Sequence, residues 1–87
     1  MSDLEIIKKN IKTDKITLGK DRTQKSLINS KLTKVFVAKN LDEKSLKDLE
    51  YYSKLNDTEL VLLDMDNDDL GTYCKKPFSI SVIGLFK

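Results

Sequence analysis

Three short stretches of this chain carry residue types that suit a polyanion. Leu18-Gly19-Lys20 closes one apolar segment, with Arg22 and Thr23 close behind, and Lys39-Asn40 follows the apolar run Val35-Phe36-Val37-Ala38. A glycine lets backbone approach a ligand closely, a helix N-terminus offers N–H groups to anions, and a neighbouring lysine adds a mobile positive charge. That is phosphate chemistry. Asparagine adds a side chain that both donates and accepts, so it can read a base edge where lysine reads only charge. The third stretch, Lys76-Pro77-Phe78-Ser79-Ile80, combines charge with an apolar platform for an unstacked base. The candidate RNA-binding residues are therefore Gly19, Lys20, Arg22, Thr23, Lys39, Asn40, Lys76, Pro77, Phe78, Ser79 and Ile80.

The elements that must position them can be read along the chain. Ser2 and Glu5 have the spacing of a capping box, and Leu4, Ile7 and Ile11 then share one face of a helix reaching about Lys12. Thr13-Asp14-Lys15 breaks that pattern, and Ile16-Thr17-Leu18 reads as a short strand ending at Gly19. A helix through about Asn29 follows, with Leu27 and Ile28 as its apolar face. Val35 to Ala38 suits a central strand covered on both faces, which requires helices on both sides of the sheet. Asp42 caps a helix over 43–55 that turns Leu46, Leu49 and Tyr52 or Ser53 inward; Tyr51 and Tyr52 belong to helix packing rather than base stacking. After the turn Asn56-Asp57-Thr58 comes a strand, Leu60 to Leu63, and then a short helix over about 68–74 capped by Asn67. Lys75-Lys76-Pro77 ends that helix, and Ile83 to Phe86 finishes the chain as a strand. Helix and strand alternate four times. The expectation is an α/β fold, a three-layer α/β/α sandwich with a mixed four-stranded sheet, in one domain over 1–87. Both corners, at Gly19 and at Asn40, should then lie at one edge of the sheet.

Charge is unevenly spread. Residues 1–40 carry ten Lys or Arg against four Asp or Glu, residues 41–74 three against ten, and residues 75–87 three against none. Basic ends flanking an acidic middle can fold into one positive and one negative face, which favours a polyanionic partner. The chain has no histidine and one cysteine, so no Ser/His or Cys/His set can be assembled, and Cys74 reads as a buried thiol. Asp64-Met65-Asp66-Asn67-Asp68-Asp69 alternates acids as a calcium loop does, but Asp69 stands where that loop needs glycine and Lys75 where it needs glutamate. No enzyme activity, cofactor or metal is expected. The start lacks a secretion pattern and no apolar run approaches a membrane span, so the expected setting is cytoplasmic, with no membrane partner.

The run Leu18-Gly19 through Arg22-Thr23, then Val37-Ala38-Lys39-Asn40, Leu49-Glu50-Tyr51-Tyr52, Leu70-Gly71-Thr72 and Lys76-Pro77-Phe78 through Ser81-Val82 resembles the archaeal and eukaryotic large-subunit ribosomal protein family called L-thirty-e. That family is part of the kink-turn RNA-binding superfamily and is related to L-seven-Ae. The resemblance covers nearly the whole chain. It implies a sandwich fold and a site of three loops gripping a sharply bent internal loop of RNA with tandem sheared G·A pairs. By the resemblance, Gly19-Lys20 approaches the bent strand, Asn40 hydrogen-bonds a guanine of the sheared pairs, and Pro77 to Ile80 packs on an extruded base. Three departures stand out. Leu41-Asp42-Glu43-Lys44 follows the asparagine where the family often has proline and a basic stretch, Lys75 stands where it often has glycine, and Ser79 where it often has a basic or longer polar residue. The implied function is a structural component of the large ribosomal subunit that binds a kink-turn in ribosomal RNA. The expected protein is a monomer when free, with neighbouring ribosomal proteins as further partners. The alternatives are a free-standing kink-turn protein of small ribonucleoproteins and a small protein-interaction module indifferent to RNA.

Overall fold

The strands and helices fall where apolar runs and caps dictate. The computed structural model describes residues 3–13 and 15–87, with Asp3 described by its backbone alone. Ser2 and Asp14, which figured in the expected start and end of the first helix, lie outside the described residues. The order is α1 (Asp3–Asn10), β1 (Ile16–Leu18), α2 (Lys20–Ile28), β2 (Leu32–Val37), α3 (Glu43–Leu55), β3 (Glu59–Leu62), α4 (Asn67–Tyr73) and β4 (Val82–Phe86).

The sheet runs β1-β4-β2-β3, with β2 and β3 parallel and β4 antiparallel to both β1 and β2. Its two faces bury separate clusters. On one, Ile7 of α1 and Leu70 and Cys74 from α4 and its end meet Phe36 and Ile83; on the other, Leu27 of α2 and Leu49 of α3 meet Val35, Val37 and Val82. The three layers expected from the alternation are thus present, with β2 buried from Val35 onwards by helices on both sides. Among the described residues no helix is long and apolar enough to cross a membrane.

Direction in the sheet fixes where the loops gather. β1, β2 and β3 all run one way, so their C-terminal ends share an edge, and antiparallel β4 starts there. Residues 19–22, 38–42, 64–67 and 77–81 therefore converge.

Several local expectations need correction. Ile28 is half exposed, because α2 ends there and the apolar face rests on Leu27 alone. The cap of α4 is Asp66, whose carboxylate accepts from the Asp69 N–H at 2.8 Å, so Asn67 is the first helical residue and its side chain is engaged elsewhere. The last strand begins one residue earlier than expected, at Val82 rather than Ile83, and Phe78 to Ser81 is loop. α2, α3 and α4 all end in the same bonded turn, in which Ser30, Asp57 and Lys75 take φ of 58°, 56° and 58°. In each, the next N–H reaches back to the carbonyl of Ser26, Ser53 or Gly71. This is the left-handed helix stop that glycine usually supplies, built here without glycine.

Candidate RNA interface

The loop edge is assembled by backbone hydrogen bonds that leave its basic side chains uncommitted. The Gly19 N–H donates to the Val82 carbonyl (2.9 Å), the Ala38 N–H to Ser81 (2.8 Å), and the Lys39 N–H to Met65 (2.8 Å). These bonds tie each strand end to the loop beside it. Gly19 sits at φ 103° with open space where a Cβ would stand, so backbone conformation rather than crowding demands glycine here. It precedes the first residue of α2, with no side chain capping that end.

Asn40 lies at the centre. Its amide nitrogen donates to the Asn67 side-chain oxygen (2.8 Å), while its own side-chain oxygen accepts from the Asn67 backbone N–H (3.0 Å). The two bonds set which end of the amide faces Asn67, and the Asn67 carbonyl in turn accepts from the Ile80 N–H (3.0 Å). One asparagine pair therefore joins the end of β2, the start of α4 and the loop before β4. An amide has two N–H groups and two acceptor lone pairs, so this exposed side chain keeps one of each in reserve.

The loop before β4 lies against α4 because residue 71 is glycine. A Cβ at Gly71 would stand 2.2 Å from the Phe78 carbonyl oxygen and 3.2 Å from the Ser79 Cα. Phe78 is 54% exposed, a large apolar side chain held outside the core on a loop. It borders two open grooves. One, of about 650 Å³, also takes in Gly19, Lys20, Arg22, Ser79 and Ile80; the other, of about 330 Å³, takes in Thr72, Lys76 and Pro77.

Most of the expected site residues thus share one edge, yet two are not exposed there. Thr23 is fully buried, its methyl over Gly84 of β4, where an added Cβ would come within 3.0 Å of it; its hydroxyl is buried with no hydrogen-bond partner. Ile80 is 2% exposed and packs into the core on the α1 and α4 face, so it anchors the loop rather than offering a surface. Lys20, Arg22, Lys39 and Lys76 are exposed, and none forms a salt bridge among the described residues. The Asp42 carboxyl, which accepts from the Ser45 N–H and hydroxyl at the start of α3, is held below the ordinary aspartate value by those bonds and, more weakly, by the charge of Lys20. Burial raises the Cys74 thiol, opposed in part by Lys76. Asn67 was missed as a site residue, since an asparagine before acidic residues reads as a cap.

Residues 3–87 match the family described as "Ribosomal protein L7Ae/L30e/S12e/Gadd45 family". The chain belongs to this family. Among relatives within the L7Ae/L30e group, the large ribosomal subunit protein eL30 of Archaeoglobus fulgidus is 35% identical over 86 residues, covering 98% of this chain and 95% of its own length. The eL30 protein of Saccharomyces cerevisiae is 34% identical over 77 residues, covering 88% and 73%. A 15.5 kDa RNA-binding protein of Giardia lamblia superposes with a TM-score of 0.85 at 19% identity, covering 97% of this chain and 70% of that one, which shows a shared fold. Membership of the L7Ae/L30e family, a family of ribosomal proteins, agrees with the expectation that the chain is not an enzyme.

Proposed function

We propose that the chain is a structural component of the large ribosomal subunit and uses its loop edge to bind a kink-turn in ribosomal RNA on cytoplasmic ribosomes. The eL30 relatives named above support the ribosomal setting. The observation that carries the RNA reading is Asn40: an exposed amide, oriented by Asn67, with one donor and one acceptor left over. A guanine in a sheared G·A pair is the partner the resemblance implies for it, and an oriented amide reads a base edge without first losing rotamer freedom. Lys20 and Arg22 on one side and Lys76 on the other supply charge where a sharp bend crowds phosphates, and Phe78 offers an unstacked base an apolar surface. The bend costs deformation energy, which these contacts offset.

The test is direct titration of the purified protein with a short kink-turn RNA and with the same RNA carrying Watson–Crick pairs in place of the G·A pairs, at one fixed salt concentration. Kink-turn reading requires tight binding to the first and weak binding to the second. Equal, weak and steeply salt-dependent binding to both would leave only the charge argument standing.

A further inference from the structure

The lysines of the first helix take no part in the loop edge. Lys8 and Lys12 of α1 and its extension meet Lys75, just past α4, around a cleft of about 220 Å³ whose other lining residues are Ile11, Tyr73 and Cys74. All three lysines are exposed, and none has a carboxylate at ion-pairing distance among the described residues. Lys34 and Lys47, by contrast, are paired with Glu59 and Glu43; what sets Lys8, Lys12 and Lys75 apart from the other unpaired lysines is that they line one cleft. Converging three unpaired like charges costs the folded state some repulsion, which an anionic partner would relieve.

The cleft floor has little to read a base with. The Tyr73 hydroxyl already donates to the Leu4 carbonyl (2.9 Å), and the Cys74 thiol is buried. The lysines can still hold phosphate. Lys75 is adjacent in sequence to Lys76, which borders the groove beside Phe78, so the cleft continues the loop edge along the short helix α4. A seven-residue helix spans about 10 Å, enough to lie along a few base-pair steps of a duplex.

The geometry points to a second, sequence-independent contact: Lys8, Lys12 and Lys75 grip the phosphate backbone of an RNA helix leaving the loop edge. This inference rests on the RNA reading of that edge and names a further part of the same partner. Backbone contacts of this kind set position and add affinity without discriminating sequence. Lysine suits the task as a mobile point charge.

Two variants test it by the dependence of affinity on salt. The Lys8→Gln/Lys12→Gln protein should bind a kink-turn RNA with long helical arms with a log–log salt slope shallower by about 1.5, two phosphate contacts' worth, and should match the parent on an RNA trimmed close to the internal loop. Lys75→Gly removes a charge and relieves a left-handed backbone at φ 58°. It should melt at higher temperature and yet bind the long-armed RNA more weakly, a combination that a purely structural lysine would not give. Unchanged slopes with long-armed RNA, or a Lys75→Gly protein that gains stability with no loss of binding, would overturn the inference. If the parent fails to prefer the kink-turn over its Watson–Crick control, the loop-edge reading fails instead. The lysine slope is still legible then on either RNA, because it reports charge and not sequence.

Discussion

Replacing Gly71 by alanine sets two effects of opposite sign against each other. Gly71 lies inside α4, where alanine is favoured over glycine by about 1 kcal/mol on intrinsic helix preference. Against that, the new methyl would meet the Phe78 carbonyl oxygen at 2.2 Å, and ordinary contact lies at 3.4–4 Å. The loop must then retreat by about 1 Å, a displacement of the size that makes overpacking cost about 1–3 kcal/mol. Retreat also lengthens the Ile80 to Asn67 backbone bond of 3.0 Å, worth about 1 kcal/mol more. The net is a loss of about 1–3 kcal/mol, or a fall in Tm of about 10 °C for a domain of this size. Thermal unfolding followed by circular dichroism measures the stability change. Amide chemical shifts of Phe78 and Ile80 show whether the loop moves while the β1–β4 pairing does not. A variant as stable as the parent, or more so, would refute the close approach and the argument that it holds Phe78 in place.

Other consequences can be checked on the same protein. Thr23→Val should leave stability unchanged or raise it by up to about 1 kcal/mol, since it removes a buried hydroxyl with no partner and keeps the methyl over Gly84, whereas Thr23→Ala should destabilise; chemical denaturation compares them. The Asp42 carboxyl sits below its ordinary value when folded, so its contribution is present above the unfolded aspartate range and is lost as pH falls through the folded value. Asp42→Asn should therefore flatten stability against pH below about pH 4 and leave the profile near neutrality parallel to the parent's. Cys74, buried and raised by that burial, should react with a thiol reagent at neutral pH only as fast as the fold opens. Denaturant should accelerate the reaction steeply.

Local patterns made most of the architecture legible. Asp42 followed by inward Leu46 and Leu49 announces α3, and Val35 to Ala38 can only be a strand covered on both sides; Leu49 and Val35 are both fully buried. Contacts across the sheet are a different matter. Asn40 and Asn67 are 27 residues apart, and their bonding depends on the parallel register of β2 with β3, which a single sequence does not disclose. Thr23 counted among the candidate RNA-binding residues because nothing near it in sequence reveals Gly84, whose missing side chain makes room for its methyl. The helix ends near Asn29, at Asn56-Asp57-Thr58 and at Lys75-Lys76-Pro77 were legible, but the left-handed backbone at Ser30, Asp57 and Lys75 was not, because glycine, its usual sign, is absent. The α4 cap shifted by one residue because Asp66 and Asn67 are both good caps and tertiary bonding to Asn40 decided between them. At the loop edge, residue types pointed to loops that converge in the fold, but only packing separated exposed Lys20 and Phe78 from buried Thr23 and Ile80.

The central claim is that Asn40 reads the G·A pairs, and the most direct measurement is the affinity of Asn40→Ala for the kink-turn RNA and its Watson–Crick control beside that of the parent. Asn40→Ala should lose about 1–3 kcal/mol, roughly tenfold to a hundredfold, on the kink-turn RNA and nothing on the control. A thermal melt should show the variant folded, since the lost pair of bonds is exposed. Equal loss on both RNAs, or no loss on either, would contradict it.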